Sequence, residues 1–252
     1  MDPKSTSMKK DILKTLLLCL VITVIGSCSE ESELKQTCVL QKVSIAEPDN
    51  YQLIEYNANG TIASVKIIFN EMESQRFDYV YASDKISIYL TDLGASHELT
   101  CEIGLDAQGR PVSRTENHIV YERYVYSNDR LDHIMWSGND SITFSYSGTN
   151  KNPDSSDFYD YNEDDQTWTK WSTTTFTFDE HPNPLKGLIL PLETNWNIGV
   201  CFHENNRTSY SSDGDTWNLA YTYNAAGYPV SRTLTSSSQS FTETKDFTYD
   251  CH

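Results

Sequence analysis

No stretch of this 252-residue chain is an unbroken apolar run of the ~20 residues that a membrane-spanning helix requires. Basic residues are scarce too, 19 Lys and Arg against 36 Asp and Glu for a formal charge of -17, which excludes electrostatic attraction to nucleic acid or anionic lipid. Catalytic signatures are missing. His97-Glu98 and His203-Glu204 each begin a zinc-protease pattern, but neither continues to a second histidine, and no Gly-x-Ser-x-Gly elbow or phosphate-cradling glycine loop occurs. No cysteine pair has zinc-ligand spacing. Carboxylates are so numerous that a pair at glycosidase separation arises by chance and discriminates nothing. The chain therefore reads as a non-enzyme without metal or cofactor.

What the chain has is tyrosine, 16 residues of it, with 9 Phe and 5 Trp on a background of Ser, Thr and Asn, the mixture of strands and turns. The clearest unit is Leu219 to Thr233, where Tyr221 and Tyr223 alternate with small residues, Asn224-Ala225-Ala226-Gly227 turns, and Pro229 begins a new extended run. Looser copies recur every twenty residues or so. Leu53 to Tyr56 meets Asn57-Ala58-Asn59-Gly60, Glu98 to Leu105 meets Asp106-Ala107-Gln108-Gly109, and Tyr126 meets Ser127-Asn128-Asp129. Pro111-Val112-Ser113-Arg114-Thr115 reappears unchanged at residues 229–233. A lone hairpin is marginal in water, so the copies must pair. The expected fold is all-β, a curved antiparallel meander of hairpins, open or closed into a barrel-like sheet, over a single domain from residue 38 to 252. Thr175, Thr177, Ser145, Thr222 and Thr248 lie opposite the aromatic face, which favours a soluble sheet over a membrane-spanning barrel.

Residues 1–27 read as a signal peptide, with the true start at Met1 or Met8: Lys9, Lys10 and Lys14 precede the apolar run Thr15 to Ile25, and Gly26-Ser27 leads into Cys28. Ile25-Gly26-Ser27-Cys28 resembles a bacterial lipobox, making Cys28 the expected site of lipid attachment. Residues 28–37 form the lipidated cysteine and an acidic tether, and Ser29-Glu30-Glu31-Ser32-Glu33 resembles the export signal of surface lipoproteins of Bacteroidota. The expected address is the outer membrane, held through its lipid and facing the exterior. Cleavage removes four Lys and two Asp, taking the charge from -17 to -19.

Asn150 to Gln166 reads as a long acidic loop or a frayed hairpin tip, whose carboxylates match no EF-hand spacing. Cys38, Cys101, Cys201 and Cys251 allow three disulfide connectivities, or none if all are buried thiols. A Cys38–Cys251 bond would need the terminal strands to be neighbours, as barrel closure arranges. Asp179-Glu180-His181-Pro182-Asn183-Pro184-Leu185-Lys186-Gly187, with Glu204-Asn205-Asn206-Arg207 and Phe247-Thr248-Tyr249-Asp250-Cys251, resembles a lipoprotein family of gut Bacteroidota described as a domain of unknown function with a porin-like fold. The resemblance covers about residues 38 to 252. It implies a barrel-like sheet in a secreted lipoprotein and no known activity.

Binding is then the expected role, for a glycan or another extracellular ligand. Flat indoles suit sugar rings, which nominates Trp168, Trp171, Trp196 and Trp217. A spacing of three puts Trp168 and Trp171 on opposite faces of a regular strand, so both are exposed only if a bulge intervenes. The alternatives are a structural or adhesion protein of the envelope and a carrier of a small apolar ligand inside the barrel. Aromatics bunched on exposed loops favour a glycan, a featureless surface favours adhesion, and an open apolar cavity favours a carrier.

Overall fold

The structure is a computed structural model and describes residues 37–45, 47–92, 97–190, 202–238 and 240–251. Sixteen strands follow in order: β1 (Cys38–Ile45), β2 (Glu47–Tyr56), β3 (Ile62–Phe69), β4 (Met72–Tyr81), β5 (Lys85–Asp92), β6 (His97–Leu105), β7 (Pro111–Glu116) and β8 (Ile119–Ser127). The second half is β9 (Arg130–Trp136), β10 (Ser141–Ser145), β11 (Ser155–Asn162), β12 (Thr167–Pro182), β13 (Asn205–Ser212), β14 (Asp215–Tyr223), β15 (Pro229–Ser236) and β16 (Thr242–Cys251). Each strand pairs with its neighbours in sequence, and β1 pairs antiparallel with β16, so the meander closes into a barrel. The Cys38–Cys251 disulfide sits on that seam, where the two residues are register partners. Cys101 is a buried free thiol, pushed up to about 12 by burial, and Cys201 lies outside the described residues.

Turn chemistry explains the recurring sequence unit. At the end of the barrel that carries Cys38 and Cys251, the acceptor oxygen of Asp106 takes the Gln108 and Arg110 amides, both at 2.9 Å, and that of Asn224 takes the Ala226 and Tyr228 amides, both at 3.0 Å. Gly227 closes the second turn at φ +83°, and a Cβ there would lie 3.2 Å from the His181 ring, so both backbone and space call for glycine. Two-residue turns at Asn70-Glu71, Asn117-His118 and Asn128-Asp129 have both φ values positive, the mirror-image turn that matches strand twist.

The tyrosines follow the same arithmetic. Hydroxyls of Tyr56, Tyr126, Tyr146, Tyr221 and Tyr249 donate to the carbonyls of Leu40, Pro111, Leu131, Arg207 and Pro229, at 2.6, 2.8, 2.8, 3.0 and 2.7 Å. In each case an even-numbered strand, or the residue just after it, reaches the start of the strand before it. The ring adds apolar contact while the buried hydroxyl stays satisfied. Burial raises Tyr56, Tyr146 and Tyr221 to about 12, so all three remain protonated donors.

Apolar side chains point inward. Val43, Val65, Ile67, Ile88 and Ile103 are fully buried and form one cluster with Phe77, Tyr79, Tyr124, Ile134 and Phe247. A sixteen-stranded barrel is wide enough to leave an aqueous channel. Here described residues of the connection between β12 and β13 enter it. Leu185, Ile189 and Leu190 belong to the core cluster, the Tyr79 hydroxyl donates to the Ile189 carbonyl at 2.6 Å, and Phe202 meets Tyr126 edge-on at 5.6 Å. The excursion is pinched at its neck, where the Asn183 amide donates to the Glu204 carbonyl at 3.0 Å and its side chain to that of His203 at 3.1 Å. His203 packs edge-on against Phe178 at 5.0 Å, and burial lowers its pKa to about 3, so it is a neutral ring in the fold.

The outer face is ionic. Opposite the inward Ile54, Val65, Phe77 and Ile103 stand Glu55 paired with Lys66, Arg76 paired with Asp78, and Lys85 paired with Glu102. A membrane-spanning barrel has the reverse arrangement, an apolar belt outside and a polar lumen. The described residues contain no helix long and apolar enough to cross a membrane.

One expectation needs partial correction. Within the acidic stretch from Asn150 to Gln166 the middle, residues 155–162, is strand β11, because Asp157 accepts from Thr173 at 2.6 Å and Lys170 at 3.1 Å across the β11–β12 ladder. Residues 150–154 are loop, and 163–166 are the tip of the β11–β12 hairpin, as the second of the two readings expects.

Candidate ligand-binding site

A cavity of about 780 Å³ opens at the end of the barrel that carries Cys38 and Cys251, between the turns after β6, β8 and β10 and the inserted connection. Its apolar surface comes from Ile86, Leu105, Leu131, Ile189 and Phe202, with the rings of Tyr126 and Tyr146. Two consecutive repeats build one wall. Arg110 lies over Tyr126 at 4.4 Å and Tyr126 bonds the carbonyl of Pro111; twenty residues on, Arg130 lies over Tyr146 at 4.7 Å and Tyr146 bonds that of Leu131. Each guanidinium thus stacks on a ring that its own repeat positions.

The lip is charged but largely paired. Arg110 is held by Asp106 at 2.8 Å and Asp129 at 3.1 Å, Arg130 donates to the carbonyls of Gly148 and Asn150 at 3.0 Å each, and Lys186 pairs with Glu204 at 2.6 Å. Among the described residues Lys151 has no ion-pair partner. The cavity is of drug-ligand size, with an apolar interior and a cationic lip. It can enclose a mainly apolar molecule and meet an anionic end at its mouth. None of its titratable groups forms a nucleophile–base pair.

The sequence-nominated tryptophans lie elsewhere. Trp168 and Trp171 are 48% and 56% exposed at the opposite end of the barrel, on the part of β12 beyond its pairing with β13. A register shift opposite Phe158 and Tyr159 leaves Trp171 unpaired, which is the bulge that exposure of both indoles requires. Trp168 packs on Tyr161 at 5.0 Å and Trp171 meets Phe158 at 5.1 Å. Trp217 is half-buried on β14, stacked on Tyr210 at 6.0 Å, so it does not join that pair. Trp196 and Cys28 lie outside the described residues. The cavity residues were missed because they come from six separate segments. Their legible signal is the twenty-residue translation of Arg110, Pro111 and Tyr126 onto Arg130, Leu131 and Tyr146.

The motif residues at the end of β12 serve structure at the neck. Asp179 accepts from Tyr223, from the His181 amide at 2.9 Å and from Asn206, while His181 stacks on Tyr223 at 4.0 Å.

No family model matches this chain, and no curated protein does. Among solved structures it is similar to a porin-like protein from Bacteroides uniformis, with 13% identity, a TM-score of 0.47, and 86% of this chain and 96% of that one covered. It is also similar to part of TcdB2-TccC3, with 14% identity, a TM-score of 0.32, and 78% of this chain against 10% of that one, and to the same assembly with Cdc42, where the TM-score is 0.31.

Proposed function

We propose that this chain is a non-catalytic, lipid-anchored binding protein of the outer membrane that takes a small, mainly apolar ligand with an anionic end into the cavity at the Cys38–Cys251 end of the barrel. The observation that carries the reading is the 780 Å³ cavity itself, apolar within and cationic at its lip. Its test uses 1-anilinonaphthalene-8-sulfonate, an apolar ring system bearing one anion. Thr149 is an exposed turn residue on the lining, so Thr149→Trp fills the mouth without touching the core. At least tenfold weaker binding in that variant, with unchanged thermal stability, is expected. Unchanged affinity, or no binding to the wild type, contradicts the reading.

The exposure of both Trp168 and Trp171 favours a second reading, a glycan platform at the opposite rim. Glycan-array binding that disappears in Trp168→Ala and Trp171→Ala supports it, and loss in Trp217→Ala alone does not. The anchor is read from Cys28: Cys28→Ser should abolish fatty-acid labelling and release the protein from the membrane fraction, since acyl chains supply the membrane affinity of a barrel with an ionic exterior. Retention in the membrane contradicts that.

A further inference from the structure

The inner face of β13 to β16 differs from the rest of the lumen. Trp217, Tyr221, Tyr223, Arg232 and Lys245 lie on the side marked as inward by the buried Leu219 and Phe247, yet all are only half-buried, so solvent reaches them. Three cations meet there. Arg232 and Lys245 are direct register partners across the β15–β16 ladder, an arrangement of like charges that weakens a sheet. Arg207, two strands away on β13, lies between the rings of Phe176 and Tyr210, its guanidinium 5.8 and 4.4 Å from their centres.

Compensation is missing. Arg76, Arg110 and Arg114 each rest on a carboxylate, in a chain with 36 acids to 19 bases. Among the described residues, Arg207 and Arg232 have none within ion-pair distance, and the buried Nε of Arg232 has no hydrogen-bond partner. Glu243 pairs with Lys245 at 3.6 Å, leaving the two guanidiniums uncompensated. Burial pulls Arg207 below the usual arginine range against the help of Tyr210 and Tyr221, and the charge of Arg232 pushes it the same way.

We propose that Arg207 and Arg232 form an oxyanion site on the inner face of β13 to β16, taking a phosphate, sulfate or carboxylate, free or carried on a small aromatic or sugar ring. Planar guanidinium forks match such groups in two-point hydrogen bonds, and an anion between them relieves their mutual repulsion. Phe176, Tyr210 and Trp217 offer flat faces beside it for a ring that bears the anion. The site is separate from the cavity, which is lined by β5 to β10 and the inserted connection.

The test compares the wild type with Arg207→Gln and Arg232→Gln, titrated with inorganic phosphate and with phenyl phosphate at fixed ionic strength. Both probes should bind the wild type at least tenfold more tightly than either variant, and a phenyl phosphate preference of threefold or more assigns the ring-borne source. In the absence of anion, Arg232→Gln should melt at or above the wild-type temperature, because it removes a like-charge pair. Phosphate raises protein stability generally, so an equal thermal increment in wild type and variants overturns the proposal. If a Gln variant does not fold, Arg207→Lys and Arg232→Lys keep the charge but lose the fork; affinity equal to wild type in both overturns it as well.

Discussion

Replacing Cys38 and Cys251 together by serine is expected to lower the midpoint of thermal unfolding by roughly 10 °C while leaving the β-sheet spectrum unchanged. The bond spans 213 residues, nearly the whole described domain, so its removal frees a very long loop in the unfolded chain. For loops of that length the chain-entropy account gives about 5 kcal/mol, and a domain of this size loses about 2–4 °C per kcal/mol. The shape should survive because the seam also has its own ladder, with Val39 opposite Asp250 and Val43 opposite Phe247. Calorimetry on the oxidised wild type and the double variant decides it. A shift below about 2 °C would mean that the seam ladder alone closes the barrel.

The second large effect concerns a charge cluster inside the lumen. Glu122 is buried on β8 and accepts from Arg114 at 3.2 Å, from the Trp136 indole at 3.1 Å and from the Tyr124 hydroxyl. Arg114, also buried, has Glu116 at 2.5 Å as its other partner. Glu122→Ala removes the acceptor shared by the Trp136 indole and the Tyr124 hydroxyl and half of Arg114's compensation, an expected cost of about 3–5 kcal/mol. Glu122→Gln retains an acceptor and should cost less than half as much. Denaturant midpoints for the two variants check this, and a loss within 1 kcal/mol for Glu122→Ala would show that water enters and replaces the carboxylate.

Much of the barrel is legible in its turns and tyrosines. Asn57 to Gly60, Asp106 to Gly109 and Asn224 to Gly227 are turns in the structure because an Asx side chain and a positive-φ glycine specify them locally. Closure was legible only as one option. It depends on β1 finding β16 across the whole chain, and among four cysteines no local pattern selects Cys38 and Cys251. The inserted connection was illegible for a related reason. Leu185, Ile189 and Leu190 look like any short apolar run, and their burial follows from the lumen that sixteen strands create. The acidic stretch was half legible: its hairpin tip at 163–166 is local turn chemistry, whereas the contact of Phe158 with Trp136 and the cross-strand partners of Asp157 hold residues 155–162 in the sheet. Trp168 and Trp171 were identified as an exposed pair conditional on a bulge, and the register break at Phe158 and Tyr159 supplies it.

The central claim, a ligand cavity at the Cys38–Cys251 end of the barrel, is tested most directly by two-dimensional amide NMR of the labelled domain titrated with 1-anilinonaphthalene-8-sulfonate. Saturable shifts should concentrate in Ile86, Leu105 to Pro111, Tyr126 to Leu131, Tyr146 to Lys151, Lys186 to Ile189, Phe202 and Glu204, the segments that line the cavity. Shifts confined to the opposite rim around Trp168 and Trp171, or scattered without saturation, would contradict it.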